Sequence, residues 1–427
     1  MKKVMLEKTL GLAVTLASSQ VFASGFALNE QSISGMGTGF AGRSSSAEDA
    51  STVYGNPAGM VRLESKQITG GVAVIDASTN ITQASGSSSG TNKGNMVPLT
   101  GVPFAFYSQK LNEQWAAGFG FYAPFGMVAD YEKGFQGKAF GSKSEVKVIT
   151  LQPTISYAFN DKLSIGFGPT INRAAGTLES DINLPVAGLD SNNIKIKGEN
   201  TAFGFNAGIL LQATDSTRAG LTYHSKVKYK LEGHTEVAKG GNVPAGALAS
   251  ARYDASLKID TPESWDFSVT QAVNADWKLY AGATWTRWSR LKDITVNNNG
   301  VTTANGNSAP TLFGTIKEEQ NWHDTWAYAV GTSYRLNKRL VLRTGLTLDQ
   351  SPTNNTDRSP RIPTGDRTIF SLGAGYDVMP NMTVDVAYAY LKEESVKVNR
   401  TNALGQYYKA KYENSANGFG LGITYRF

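Results

Sequence analysis

Gly418-Phe419-Gly420-Leu421-Gly422-Ile423-Thr424-Tyr425-Arg426-Phe427 closes the sequence and alternates without interruption. Phe419, Leu421, Ile423, Tyr425 and Phe427 share one parity, and Gly418, Gly420, Gly422, Thr424 and Arg426 share the other. A period of two specifies a strand with two unlike faces. In a soluble sheet the apolar face would be the core. An aromatic face backed by glycine, threonine and arginine fits lipid on one side and a polar lumen on the other.

The same alternation recurs upstream. Met382, Val384, Val386, Tyr388 and Tyr390 oppose Thr383, Asp385, Ala387 and Ala389, and Leu163, Ile165 and Phe167 oppose Ser164, Gly166 and Gly168. Short polar turns separate such segments near Asn112, Asp161, Asp215, Ala275, Asn337 and Pro380, where Asn and Asp take turn geometry cheaply. Between these turns lie longer Gly/Ser/Asn-rich connections at about 83–99, 123–143, 180–200, 233–250, 291–321, 351–366 and 399–411. Six tight turns and seven long loops predict 14 strands, the first over 67–82. The fold class expected is all-β: a 14-stranded antiparallel transmembrane β-barrel, with short turns on the periplasmic side and long loops outside. Trp115, Trp277, Trp285, Trp322 and Trp326 fall near strand ends, as interfacial girdles require.

Composition agrees. Lys2, Lys3 and Lys8 precede an uncharged stretch that ends at Val21-Phe22-Ala23, so residues 1–23 read as a secretory signal peptide. No other apolar run is long enough for a membrane helix. Cysteine is absent, which excludes disulfides and thiolate metal sites, and His224, His234 and His323 share no ligand-like spacing. A net charge of +6 is too weak to argue for nucleic acid. Gly37-Thr38-Gly39-Phe40-Ala41-Gly42 lacks the strand–helix context of a dinucleotide site. No cofactor, metal or catalytic constellation is expected.

Residues 24–65 precede the first strand and are small, polar and Gly-rich, with Glu48-Asp49 and Asn56-Pro57-Ala58. They cannot cross lipid, but a barrel this wide leaves a lumen to be filled. The expected organisation is a signal peptide (1–23), an N-terminal hatch plugging the lumen (24–65) and the barrel (66–427). In Trp115-Ala116-Ala117-Gly118-Phe119-Gly120-Phe121-Tyr122-Ala123-Pro124-Phe125-Gly126-Met127, Pro124 has no N–H for a ladder and three glycines weaken the strand. An interrupted third strand follows, or a loop beginning at Pro124.

The run Gly25-Phe26-Ala27-Leu28-Asn29-Glu30-Gln31-Ser32, the stretch 47–51, Asn56-Pro57-Ala58, Gly204-Phe205-Asn206-Ala207-Gly208, Pro262-Glu263-Ser264-Trp265 and Asp349-Gln350-Ser351-Pro352 occur in an order that resembles the FadL/TodX-like outer-membrane transporters of long-chain fatty acids and other hydrophobic compounds. The terminal strand also resembles the last strand of bacterial outer-membrane barrels, which commonly ends in Phe. The resemblance implies capture of ligand in a groove between the third and fourth extracellular loops, here Leu184, Val186 and Leu189 facing Val243 and Leu248. It implies an internal site closed by the mature N-terminus, Ser24, Gly25 and Phe26, and a lateral opening at a third-strand kink, Pro124, Phe125 and Gly126, beside the hatch motif Asn56, Pro57 and Ala58. Strand parity nominates Lys226 and Arg343 as inward cations, with Arg218 and Lys228, and His323 near the outer mouth, as partners for a carboxylate. Arg173 has lipid parity and is expected to meet lipopolysaccharide. The expected function is energy-independent uptake of a long-chain fatty acid or similar hydrophobic molecule by a monomer in outer-membrane lipid. The alternatives are a general porin for small polar solutes and an uptake channel for aromatic hydrocarbons.

Overall fold

The computed structural model describes residues 25–182, 192–240, 248–305 and 309–427. Its hydrogen-bonded segments form one closed antiparallel sheet. The first six staves are β1 (Gln67–Gly86), β2 (Thr100–Lys110), β3 (Trp115–Asp130), β4 (Lys143–Ala158), β5 (Leu163–Ile182) and β6 (Asn192–Gln212). The next four each consist of two segments across a short break: β7 (Thr217–His224, Val227–Ala238), β8 (Ala251–Thr261, Ser264–Ala272), β9 (Trp277–Thr286, Asp293–Asn299) and β10 (Thr315–Glu319, Thr325–Arg335). The circle continues through β11 (Leu340–Asp349), β12 (Arg367–Met379), β13 (Met382–Glu393, Val396–Thr401) and β14 (Tyr407–Arg426). β14 pairs back on β1 from Arg426↔Gln67 to Tyr408↔Gly86, which closes a barrel of 14 staves.

All six tight turns fall where the sequence places them, four of them built by Asn side chains and a fifth by the Thr214 hydroxyl, which accepts from Ser216 N and Thr217 N. Asn112, Asn160, Asn274 and Asn337 each accept backbone N–H groups two and three residues ahead. The outer connections are shorter than the sequence suggests. The polar stretches expected as loops at 123–143 and 291–321 contain strand, and β3 runs on to Asp130. Staves of about 20 residues exceed the ~10 needed to cross a bilayer. Their outer ends rise beyond the bilayer and bury one face in clusters of their own, such as Ile81, Val396, Val398, Tyr408 and Tyr412.

The outward face carries the apolar belt. Phe119, Phe167, Phe205, Trp265, Trp277, Trp326, Phe370, Phe419 and Leu421 are exposed on it. Residues 25–65 lie inside. The helix α1 (Ile33–Gly37) packs against β11–β14 and β1, while the 3₁₀ turn Pro57–Arg62 packs on β2–β6, so this segment bridges opposite walls. Inward-facing glycines make room for it. A Cβ on Gly420 would lie 2.7 Å from Ile33 Cδ1, one on Gly166 2.3 Å from the Pro57 carbonyl carbon, and one on Gly220 1.8 Å from Ser44 O.

Candidate functional site

The wall is discontinuous at β3. Its ladder with β2 runs only from Lys110↔Ala116 to Ala105↔Phe121. Beyond that point β2 pairs only with β1, and the β3–β4 register shifts between Tyr122 and Phe125. Pro103 on β2 and Pro124 on β3 stand on the two sides of this gap, and neither has an N–H to donate. Pro124 therefore kinks the strand without ending it, and the loop reading at this residue is corrected.

The N-terminal residues occupy the inner side of that kink as a short strap. Leu28 N donates to Pro124 O at 2.9 Å, and Gly126 N donates to Phe26 O at 2.9 Å. Gln31 Nε2 donates to Ala123 O at 2.8 Å. The strap thus pairs with backbone groups of β3 where β2 makes no ladder, as buried polar groups require. Phe26 is 3% exposed. Its ring centroid lies 4.8 Å from that of Trp288, 5.8 Å from Phe125 and 5.9 Å from Trp322, and Met127 and Ile362 complete the cluster. Gly25 has φ +63° and sits where a Cβ would meet Trp322 at 2.7 Å and Trp288 at 2.8 Å, so a side chain there is excluded twice.

Phe26 also forms one end of an apolar pocket in the outer half of the lumen. The pocket encloses about 720 Å³ including its open mouth. Val146, Val148, Leu178, Ile196, Tyr229 and Ile259 line it. Its apolar lining suits an alkyl chain, for which burial is worth about 0.8 kcal/mol per CH₂.

Hatch anchorage explains the Asn56-Pro57-Ala58 motif. Asn56 Oδ1 accepts Ala58 N–H at 3.0 Å and caps the 3₁₀ turn that Pro57 begins. Its Nδ2 donates to Ser44 O at 2.7 Å and to Ile209 O of β6 at 3.0 Å. Ser164 Oγ of β5 donates to Ala58 O at 2.8 Å.

The nominated cations lie elsewhere. Arg343 pairs with Asp385 at 2.6 Å and with Glu48 at 3.7 Å beneath the hatch, away from the apolar pocket. His323 is exposed, on the parity opposite to buried Trp322. Lys226 lies in the break of β7, after which inward parity passes to Val227, Tyr229 and Leu231, so Lys228 is exposed and faces outward. Inward positions run 222, 224 and then 227, and this slip of one residue reverses every later side chain. Arg173 is on the outer face, paired with Glu199 at 2.6 Å. Leu248 is 2% exposed and packs on Ile194, Val237, Tyr253 and Phe313, so it belongs to a self-packed cluster. Ser24, Leu184, Val186, Leu189 and Val243 lie outside the described residues.

Sequence reasoning missed Trp288 and took Trp322 for a girdle residue. Both lie within the breaks of β9 and β10, where the chain turns them inward. It also treated 351–366 as an ordinary loop. Instead Arg361 reaches Ser144 Oγ at 2.8 Å and Glu318 at 3.0 Å, and Tyr131 donates to Pro360 O at 2.7 Å, so this connection folds over the lumen.

A closed barrel with an apolar belt, an internal plug and a strap across a wall gap defines a plugged outer-membrane β-barrel. The chain belongs to the outer membrane protein transport protein family (OMPP1/FadL/TodX), whose model matches residues 14–427. It is 28% identical over 460 residues to the long-chain fatty acid transport protein of Escherichia coli O6:H1, covering 100% of this chain and 99% of that one. The crystal structure of a Pseudomonas aeruginosa FadL homologue superposes with a TM-score of 0.85 at 26% identity, covering 95% of this chain and 100% of that one. The Pseudomonas putida toluene transporter TodX shares the fold, with a TM-score of 0.66 at 18% identity over 95% of this chain and 100% of that one.

Proposed function

We propose that this protein carries long-chain fatty acids or similar hydrophobic molecules across the outer membrane without an energy source. The relative named for long-chain fatty acid transport, matched over its length, supports the substrate class. One observation carries the route: Phe26 lines the apolar pocket, and its own segment is the strap hydrogen-bonded to β3 where β3 parts from β2. Ligand captured at the third and fourth outer loops enters the pocket and displaces Phe26. The strap then leaves β3, and the molecule exits sideways between β2 and β3 into lipid. Residues 24–65 act as the hatch that denies small solutes an axial path, which argues against a general porin. The protein works as a monomer in outer-membrane lipid, with outer-face cations such as Arg173 turned toward lipopolysaccharide.

The test is oleate uptake in cells lacking their own transporter. Expression of the protein restores uptake, whereas deletion of residues 24–27 or Gly126→Leu abolishes it while the barrel keeps its heat-modifiable electrophoretic migration. Unchanged uptake on expression would refute the substrate class, and full transport by the folded Gly126→Leu variant would establish an axial route.

A further inference from the structure

The lumen has a second chamber on the other side of the hatch, and its chemistry is opposite to that of the apolar pocket. It encloses about 1280 Å³, its open mouth included, between Ser46–Glu48 and the periplasmic ends of the staves. Its wall carries Arg62, Arg218, Lys278, Arg335, Arg343 and Arg426, against Glu48, Asp276 and Asp377. Part of this charge is compensated: Lys278 lies 3.5 Å from Glu48, and Arg343 holds Asp385 and Glu48. Arg62, Arg218, Arg335 and Arg426 have no ion pair among the described residues.

Two of these arginines stand together. Arg62, at the end of the hatch, and Arg218, on β7, line the same chamber, where the Arg62 charge acts on Arg218. Arg218 spends Nε on Gln212 at 2.8 Å and Nη1 on Ser46 O at 2.9 Å. Arg62 gives Nη1 to Asp161 O, but its Nε and Nη2 are buried with no partner. Across the chamber the Arg343 side chain is 8% exposed, and its Nε is also unpartnered. Guanidinium donors withdrawn from water without acceptors are costly, and a second like charge beside them adds to the cost. Planar forks of this kind match the oxygens of carboxylate and phosphate.

We propose that the periplasmic chamber binds an oxyanion, a carboxylate or phosphate, between Arg62 and Arg218 beneath the hatch. The excess of cations over acids in the wall concentrates anions there and makes binding sensitive to salt. Two sources share this chemistry: the head group of a transported amphiphile that has reached the periplasmic side, and a soluble periplasmic anion.

Calorimetry on the full-length protein in neutral detergent tests the site, with inorganic phosphate and acetate as probes at low ionic strength. Saturable binding is expected, weakened at least about tenfold in Arg62→Gln/Arg218→Gln. Oleate binding at the apolar pocket, read from the fluorescence of Trp288 and Trp322 beside Phe26, should be unchanged in that variant, so that failure here is separable from failure of the uptake reading. If the double variant does not fold, Arg218→Lys keeps the charge and removes the fork, and an affinity loss is still expected. Displacement of phosphate by oleate identifies the amphiphile as the source, whereas its indifference to oleate identifies a soluble anion. Absence of saturable binding of either probe to the wild type, or equal affinity in the arginine variants, would overturn the proposal.

Discussion

Phe26→Ala separates the strap from the wall. The ring is almost fully buried among Trp288, Trp322 and Phe125, and truncating such a ring costs about 3–5 kcal/mol. The two backbone hydrogen bonds between the strap and β3 contribute about 1 kcal/mol each. Ring burial is therefore the larger part of what keeps the strap in place. No ladder of the barrel uses the Phe26 side chain, so the loss falls on local opening of the strap and not on global unfolding. A loss of about 3 kcal/mol raises the open population roughly 10²-fold, at about 1.4 kcal/mol per factor of ten. Hydrogen exchange followed by mass spectrometry reads this directly. Peptides containing Leu28 and Gly126 should exchange roughly 10²-fold faster in Phe26→Ala, while those spanning β14 and β1 stay at wild-type rates. Unchanged protection at Leu28 and Gly126 would refute the reasoning, and so would equal loss of protection across the β14–β1 seam.

Other perturbations address the hatch and its charges. A Cβ on Gly208 would fall 2.0 Å from Asn56 Oδ1, so Gly208→Val should dislodge the hatch by an overpacking strain of about 1–3 kcal/mol and raise planar-bilayer conductance; wild-type conductance would show that the motif accommodates the change. Arg343→Gln leaves the buried Asp385 without its cation and Glu48 with Lys278 alone, and should cost about 3–5 kcal/mol, read as a lower melting temperature in detergent. Burial alone would raise the Glu48 carboxyl, but the neighbouring Lys278 and Arg343 charges outweigh it and hold the group at about 2. Its contribution is therefore present above its ordinary value of 4.5 and is lost as pH falls toward 2, so hatch protection should fall over that window in the wild type and not in Glu48→Gln. Burial raises Glu30 to about 7, against its backbone hydrogen bonds and the Arg43 charge, and its Oε1 has no partner. Its ionisation therefore becomes destabilising as pH rises from 4.5 through about 7, so Glu30→Gln should strengthen hatch protection above pH 7 and leave it unchanged below 4.5.

Part of the site was legible because its residues break local rules. Pro124 among glycines announces a fault in a ladder whatever surrounds it. The cations were not legible, because parity was carried through strands that contain breaks. Ser225-Lys226 moves the inward position from Thr222 to Val227, and the break before Thr325 sends Trp322 in and His323 out. Nothing local marks such a break, since it depends on where neighbouring staves bend together. The fold of 351–366 over the lumen was hidden for a similar reason, because the partners of Arg361 come from distant parts of the chain.

The sequence by itself determined the barrel, its stave count and its lipid face, because alternation and turn chemistry are short-range properties that each segment writes independently. Only the tertiary structure decided what the inner face meets. Gly420 and Gly422 read as a bland lumen side, yet they are small because Ile33 of α1 lies against them. Gly166, Gly208 and Gly220 are small for the same reason beneath Pro57, Asn56 and Ser44. Close approach between segments far apart in the chain leaves no period in either of them, and the strap, the gap and the two chambers all depend on such approaches.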